Sequence, residues 1–257
     1  MKRLFIIFFL TSISLHAQVH KDSVSSIDSI TKIALTKKIK LLQTKLDSII
    51  KDEKKEEVEK SWSVKEINQE VYDLAFELFG IKKYWHKRIV RAGENTLFPY
   101  DENPENLLIK EDDIVFLDFG PIFEYWEADY GRTYVLGGDP LKHKLVSDIE
   151  TAWKEANAFF HSQKEISGVT LYKYCCDLAT DKGWEFGGPI AGHLIGHFPH
   201  EKLEKEDKTN YIHPENHIDM NAPNQKGEQR HWILEIHFVD RQKKIGGFFE
   251  QLLIPSH

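Results

Sequence analysis

The sequence predicts an α+β fold in which a curved antiparallel sheet is covered by helices on one side. Three observations carry that expectation. Runs rich in β-branched and aromatic residues stand at 114–120, 132–137, 232–240 and 247–254. Between and before them lie stretches with helical spacing of apolar residues. Two of those stretches begin on capping signals, at Ser63/Glu66 and Asp139-Pro140, and two end at or before a glycine, Gly80 and Gly183.

Taken in order, the chain opens with Met-Lys-Arg, a short apolar run and then Ala17. A basic start, an apolar stretch too short for a comfortable membrane span, and a small residue describe a secretory signal over residues 1–17. The expected product is exported, periplasmic or secreted, with no stable membrane span after cleavage. Over 18–60, Leu35, Ile39, Leu42, Leu46 and Ile49 form one helical stripe, followed by the charged run KDEKKEEVEK. This reads as an N-terminal helical segment running into a solvated linker. A short coiled-coil homodimer is the other reading, although two heptads are weak evidence.

The domain proper spans 61–257. Ser63 and Glu66 form a capping-box pattern ahead of Val64, Ile67, Val71, Leu74 and Leu78, and Gly80 closes that helix. Asp139-Pro140 opens a second helix through Phe160, with Asp as the cap and Pro in the first turn. A third covers 169–181 and ends before Gly183. Gly246-Gly247 is expected to break the chain between the last two strands.

The formal net charge is −7, and no Lys/Arg run stands beside aromatics, which argues against nucleic-acid binding. Cys175 and Cys176 are adjacent, a geometry unsuited to an ordinary disulfide, and read as small apolar core residues.

The chemistry is concentrated in acids that sit inside apolar strands. Asp118 stands in VFLDFG, Glu235 in WILEIHF and Glu250 in GFFEQLL. Strand alternation puts Glu235 on the face of Ile233 and His237, and Glu250 on the face of Phe248 and Leu252. A carboxylate desolvated there costs several kcal/mol unless it is paired. Few Arg or Lys are near in sequence, so a divalent cation is the simplest partner. For any one acid alone, a structural ion pair or an edge position facing water would serve as well. The set argues otherwise: Asp118 and Asp129 lie eleven residues apart on either side of the candidate turn GPIFEYWEA, and GHLIGHFPHE adds His193, His197 and His200. Hard oxygen ligands with an imidazole suit manganese, iron, cobalt or zinc. Four carboxylates and a His exceed the needs of one catalytic ion and suit two.

These segments resemble the M24, or pita-bread, metallopeptidases, which include methionine aminopeptidase, aminopeptidase P and prolidase. The resemblance covers roughly 61–257. Asp118 in LDFG, Asp129 in EADYGRTY, His193 in AGHLIGHFPHE, Glu235 and Glu250 match the family's five metal ligands. His200, seven residues after His193, and His86 in YWHKRIVRAGENT match its two further site histidines. The resemblance implies a pita-bread fold, two divalent ions, and attack of a metal-activated hydroxide on the scissile carbonyl of a short peptide. It implies that Glu235 also shuttles a proton and that His200 and His86 stabilise the tetrahedral intermediate. Ligand-competent residues at all five positions favour an enzyme over the alternative, a silent pita-bread protein that binds peptides or protein partners.

Several positions depart from the pattern. Leu194 follows the metal His where Gly is usual and is expected to narrow the pocket. Ile236 and His237 follow Glu235 where Pro is usual. Residues 18–60 are too few to build the separate N-terminal domain of aminopeptidase P and prolidase. His237, sharing a face with Glu235, is expected to support a ligand from behind. His197 reads either as such a supporting donor or as a plain surface residue. His213, His217 and His231 read as ordinary loop histidines. Arg88 and Arg91 read as structural ion-pair partners, or as groups orienting a carboxylate.

Overall fold

The computed structural model describes residues 63–98, 100, 103–123, 125–198, 207–224 and 226–254. The expected leader, the helical segment of 18–60, and His200 lie outside the described residues. Helix α1 (Val64–Phe79) begins on the capping box: Ser63 Oγ accepts from Glu66 N–H, and the Glu66 carboxylate accepts from Ser63 N–H at 2.8 Å. It ends at Gly80 in the left-handed region, φ 67°. Helix α2 (Pro140–Ser162) starts with Asp139 accepting from Leu141 N–H at 2.8 Å. Helix α3 (Gly168–Asp181) is capped by Ser167.

Among the described residues nine strands complete the framework: β1 (Ile89–Ala92), β2 (Ile114–Phe119), β3 (Ile122–Phe123), β4 (Trp126–Glu127), β5 (Tyr130–Val135), β6 (Glu185–Phe186), β7 (Gly192–Ile195), β8 (His231–Asp240) and β9 (Ile245–Leu252). Seven of them form one open antiparallel sheet, in the order β1-β2-β5-β9-β8-β6, with β7 also paired to β8. Strands β3 and β4 make a small hairpin inside the connection between Asp118 and Asp129.

Period-two alternation assigns the two faces of this sheet different tasks. On β2, Val115, Leu117 and Phe119 pack with Ile67 and Val71 of α1. On β8, Leu234, Ile236 and Phe238 join a larger core with Leu145, Ile149, Ala152 and Trp153 of α2. The Trp153 indole N–H donates to Leu234 O at 3.0 Å, so the ring is both buried and satisfied. Helices α1 and α2 thus cover one face. The other face of the same strands, bearing Asp118, Glu235 and Glu250, lines a cavity.

One sequence expectation fails here. The chain reverses between β8 and β9 at Arg241–Lys244, with Lys244 at φ 54°, and not at Gly246-Gly247. Both glycines lie inside β9. Gly246 answers a close approach instead: a Cβ there would collide with Thr96 O, and its N–H donates to Thr96 Oγ1 at 2.8 Å. Cys175 and Cys176 are free thiols, with Cys175 buried in the larger core. Among the described residues no helix is long and apolar enough to cross a membrane.

Candidate metal centre

Strand register brings the acids together. Asp118 on β2 pairs with Gly131 on β5, Gly131 pairs with Glu250 on β9, and Glu250 pairs with Glu235 on β8. Four neighbouring strands therefore carry Asp118, Gly131, Glu250 and Glu235 in one row. At Gly131 the row has no side chain, and Asp129, entering β5 two residues earlier, supplies the missing carboxylate. Strand β7 adds His193, opposite Ile233 of β8. His86 comes from the segment before β1 and lies against Gly120, where any Cβ would collide with its ring. That contact gives the glycine of LDFG a steric reason.

The distances define a tight cluster. His86 Nε2 lies 3.1 Å from Asp129 Oδ1 and 3.6 Å from Asp118 Oδ1. His193 Nε2 lies 3.2 Å from Asp129 Oδ2, 3.5 Å from Glu235 Oε1 and 4.0 Å from Glu250 Oε1. Both imidazoles are oriented by backbone: Nδ1 of His86 meets Lys87 O at 2.7 Å, and Nδ1 of His193 meets Leu194 O at 2.7 Å. A carbonyl only accepts, so Nδ1 of each ring carries a proton, and Nε2 faces the acids, as a donor while the ring is protonated and as a ligand atom once it is not.

Electrostatics show the strain of this grouping. Burial raises the Asp118 carboxyl to about 7, with His86 opposing and Asp129 adding to the rise. Burial likewise lifts Glu235 to about 7 against the pull of His193. Glu250 is raised well above the usual carboxylate range by burial and then by Asp129, Asp118 and Glu235. Asp129 goes the other way: burial would raise it, but His86 and His193 hold it down at about 2. Burial disfavours charge on both histidines, yet the acids prevail and raise His86 to about 9 and His193 to about 8. Among the described residues, buried Asp118 Oδ1 and Glu250 Oε2 have no hydrogen-bond partner.

These residues fit divalent cations. The atoms are hard oxygens and imidazole nitrogens. Two groups, His86/Asp118/Asp129 and Asp129/His193/Glu250, each keep one donor atom per residue within 4.8 Å of the others, and they share Asp129. The unpartnered oxygens of Asp118 and Glu250 are what a cation would satisfy. Glu235 belongs to neither group but borders the cluster through His193. All five expected ligands are thus brought together, and His86 joins them more closely than its expected place at the substrate suggests.

Other expectations fare differently. His197 is exposed, stacked on Tyr125 at 5.7 Å and edge-on to Trp126, and does not line the cavity, so it gives the ligands no support. His237 lines the cavity on the face of Glu235, but its bond goes to Thr96 O at 2.9 Å and not to a ligand. Burial lowers it to about 4. Leu194 does not narrow the pocket: alternation along β7 turns it away from His193 toward the larger core. Arg88 lies over the rings of Tyr72 and Tyr84 and bonds Asn68; among the described residues it forms neither an ion pair nor a carboxylate guide. Arg91 is buried and bonds Val90 O, with Asp118 the charge that favours its protonated form.

The cavity holds about 390 Å³, within the usual range for small-ligand sites. Its wall includes Phe248, which alternation put beside Glu250, and residues not anticipated from sequence: Trp85, Tyr100, Phe116, Lys208 and His213. Trp85 stands edge-on to His86 at 4.5 Å and to His193 at 5.1 Å, and its indole N–H donates to Ala128 O. Its position next to His86 was the signal available. Lys208 and His213 gave none, because the first stands in a single 3-10 turn and the second in irregular chain. His213, read as ordinary, accepts from Glu215 N–H at Nδ1 and turns toward the cavity.

An open antiparallel sheet with helices on one face and a carboxylate–imidazole cluster on the other has the architecture of the pita-bread class. The chain belongs to metallopeptidase family M24, whose model matches residues 38–228. That match ends before β8, so Glu235 and Glu250 are placed by the strand register alone. A putative Xaa-Pro aminopeptidase of Mycoplasma genitalium is 28% identical over 133 residues, covering 51% of this chain and 37% of that protein. The X-Pro aminopeptidase of Thermotoga maritima superposes with a TM-score of 0.65 at 18% identity, over 91% of this chain and 58% of that one. A prolidase of Thermococcus sibiricus gives 0.58 at 21% identity, over 88% and 56%. The chain therefore spans well under two thirds of the length of these proteins.

Proposed function

We propose that this chain is a peptidase dependent on two divalent ions and acting on short peptides with a free amino end, Xaa-Pro bonds among them. The observation that carries the reading is the cluster itself: buried carboxylates with unpartnered oxygens at Asp118 and Glu250, facing two imidazoles whose Nε2 atoms are turned inward. Asp118, Asp129, His193, Glu235 and Glu250 would hold the ions. When bound, such ions supply Lewis acidity and make water nucleophilic at neutral pH.

The chain's own residues do the rest. Glu235, on the cavity side of the cluster, is placed to take a proton at Oε1 and return it to the leaving amine. His86 presents Nε2 on the cavity wall beside Asp118 and Asp129, where it can donate to the carbonyl oxygen of a peptide. Trp85 and Tyr100 flank that ring and fix its position. His200 is assigned the second donor role on its sequence spacing. Export follows from the leader, and the mature chain is taken to begin after Ala17.

The test compares Ala-Pro, Ala-Pro-Ala, Met-Ala-Ser and amino-blocked Ala-Pro, with manganese, cobalt, zinc and iron added in turn. Cleavage of the free-amine Xaa-Pro peptides is expected. Equal cleavage of the blocked peptide sinks the amine requirement, and preference for Met-Ala-Ser moves the enzyme to the methionine branch. Silence on all four with metal bound favours a binding protein. N-terminal sequencing of the protein made in its host checks the leader, and a chain still starting at Met1 refutes export.

A further inference from the structure

Three strands repeat one pattern two residues away from the metal row. Phe116 precedes Asp118 on β2, Phe248 precedes Glu250 on β9, and His237 follows Glu235 on the antiparallel β8. His237 and Phe248 are cross-strand partners, as are Glu235 and Glu250. A two-residue step along a strand is about 7 Å, roughly one residue of a bound peptide. Beside the metal row there is thus a second row, Phe116, Phe248 and His237, and all three line the cavity. Their rings touch: Phe116 and Phe248 at 5.4 Å, and His237 with each of them at 6.1 Å.

Only His237 brings a polar atom to this row, and its proton is fixed. His237 Nε2 lies 2.9 Å from Thr96 O, an atom that can only accept, so the ring N–H is at Nε2. Thr96 is itself immobilised: its hydroxyl donates to Gly93 O at 2.6 Å and accepts Gly246 N–H. No carboxylate is bonded to the ring. The remaining nitrogen, Nδ1, is therefore a lone-pair acceptor; it stands beside Gly187, at the edge of the aromatic wall next to the cavity-lining Gly188.

The geometry points to His237 as a specificity-determining residue: the aromatic row receives a peptide side chain whose tip carries an N–H or O–H donor, such as threonine or glutamine. An apolar isostere of equal size would fill the same space but displace water from Nδ1 without replacing its bond. This inference rests on the peptidase reading for its substrate class, and its test separates the two.

The manganese-loaded chain is assayed on the matched pairs Thr-Pro/Val-Pro and Gln-Pro/Met-Pro. In parallel, calorimetry measures binding of free threonine, valine, glutamine and methionine, where ammonium and carboxylate are common to each pair and cancel in the ratio. The donor member is expected to win by about 3- to 10-fold, the worth of one net hydrogen bond. In His237→Phe the ratio should fall to one or below. In His237→Gln, whose amide can both donate to Thr96 O and accept, it should persist. If His237→Phe does not fold, as judged by circular dichroism, His237→Leu takes its place. A ratio of one in the unaltered chain overturns the inference, as does a donor preference that survives in the folded Phe or Leu variant. If no peptide is cut although manganese binds, the peptidase reading fails, and the calorimetric ratios alone decide the role of His237.

Discussion

The two faces of the central strands obey opposite rules. On β2, Val115, Leu117 and Phe119 meet α1, while Phe116 and Asp118 meet the cavity. On β8, Leu234, Ile236 and Phe238 meet α2, while Glu235 and His237 meet the cavity. Burying each apolar side chain of the outer face contributes about 1.5–3 kcal/mol to folding. The inner face does the reverse. Three of its carboxyls are pushed up because burial and mutual repulsion oppose their ionisation, so at neutral pH they cost stability unless cations offset them. The same strands carry the fold on one side and the chemistry on the other, and the two can be damaged separately.

The largest effect expected is on the inner face. Asp118→Asn or Glu250→Gln should lower peptide hydrolysis by more than the ~10–100-fold typical of groups that merely support metal ligands. The same variants should melt no lower than the parent in EDTA, because one of several crowded charges is gone. Kinetics and scanning calorimetry check both halves. A melting point several degrees lower in EDTA would mean that the acids hold the fold together.

The outer face should give the mirror result. Leu234→Ala, at a fully buried position, should cost about 2–5 kcal/mol in a urea titration. The folded fraction should still bind as many manganese ions as the parent.

A third measurement uses pH to sharpen the contrast. Asp118 and Glu235 sit at about 7 when folded, above their ordinary carboxylate values, so they penalise the folded state increasingly as pH climbs from about 4 to 7. His86 and His193 are raised to about 9 and 8, so the stability they add is present below about 6.5 and lost as pH passes through 8 to 9. Asp129, depressed to about 2, contributes stability above about 4 that disappears only in stronger acid. Between pH 4 and 9 the site therefore pushes one way, and the metal-free protein should lose stability as pH rises. Manganese should flatten that slope. Melting temperatures at pH 5, 7 and 9, in EDTA and in manganese, decide it, and equal slopes in the two would contradict the assignment. The smallest effect belongs far from the site: Ser63→Ala removes the α1 cap and should cost about 1 kcal/mol with no change in hydrolysis.

Much of this was legible in the sequence, because local rules govern it. Ser63/Glu66 and Asp139-Pro140 are capping signals that work through neighbours in the chain, and both helices start where those residues stand. Strand alternation placed Glu235 with His237 and Glu250 with Phe248, since a period of two needs no tertiary knowledge. What failed depended on which chain lies across the way. Gly246 looked like a breaker, yet it is a strand residue that makes room for Thr96, 150 positions away. Leu194 looked like pocket wall, yet it faces the core because β7 pairs with β8. Lys208 reaches the cavity from a single 3-10 turn and His213 from irregular chain, both too short or too irregular for a periodicity to announce a direction.

The turn at Arg241–Lys244 carries no atom of the candidate site, yet it fixes the pairing of Glu235 with Glu250, of His237 with Phe248 and of Ile233 with Leu252. Because side chains alternate, sliding β9 by a single position would send Glu250 and Phe248 to the helix-covered side and bring Gln251 and Phe249 inward. Substitutions in that exposed turn are cheap for the protein to tolerate; insertions and deletions of one residue are not. In a lineage of such chains the identity of the turn residues is free to drift, while their number is inherited as strictly as the acids themselves.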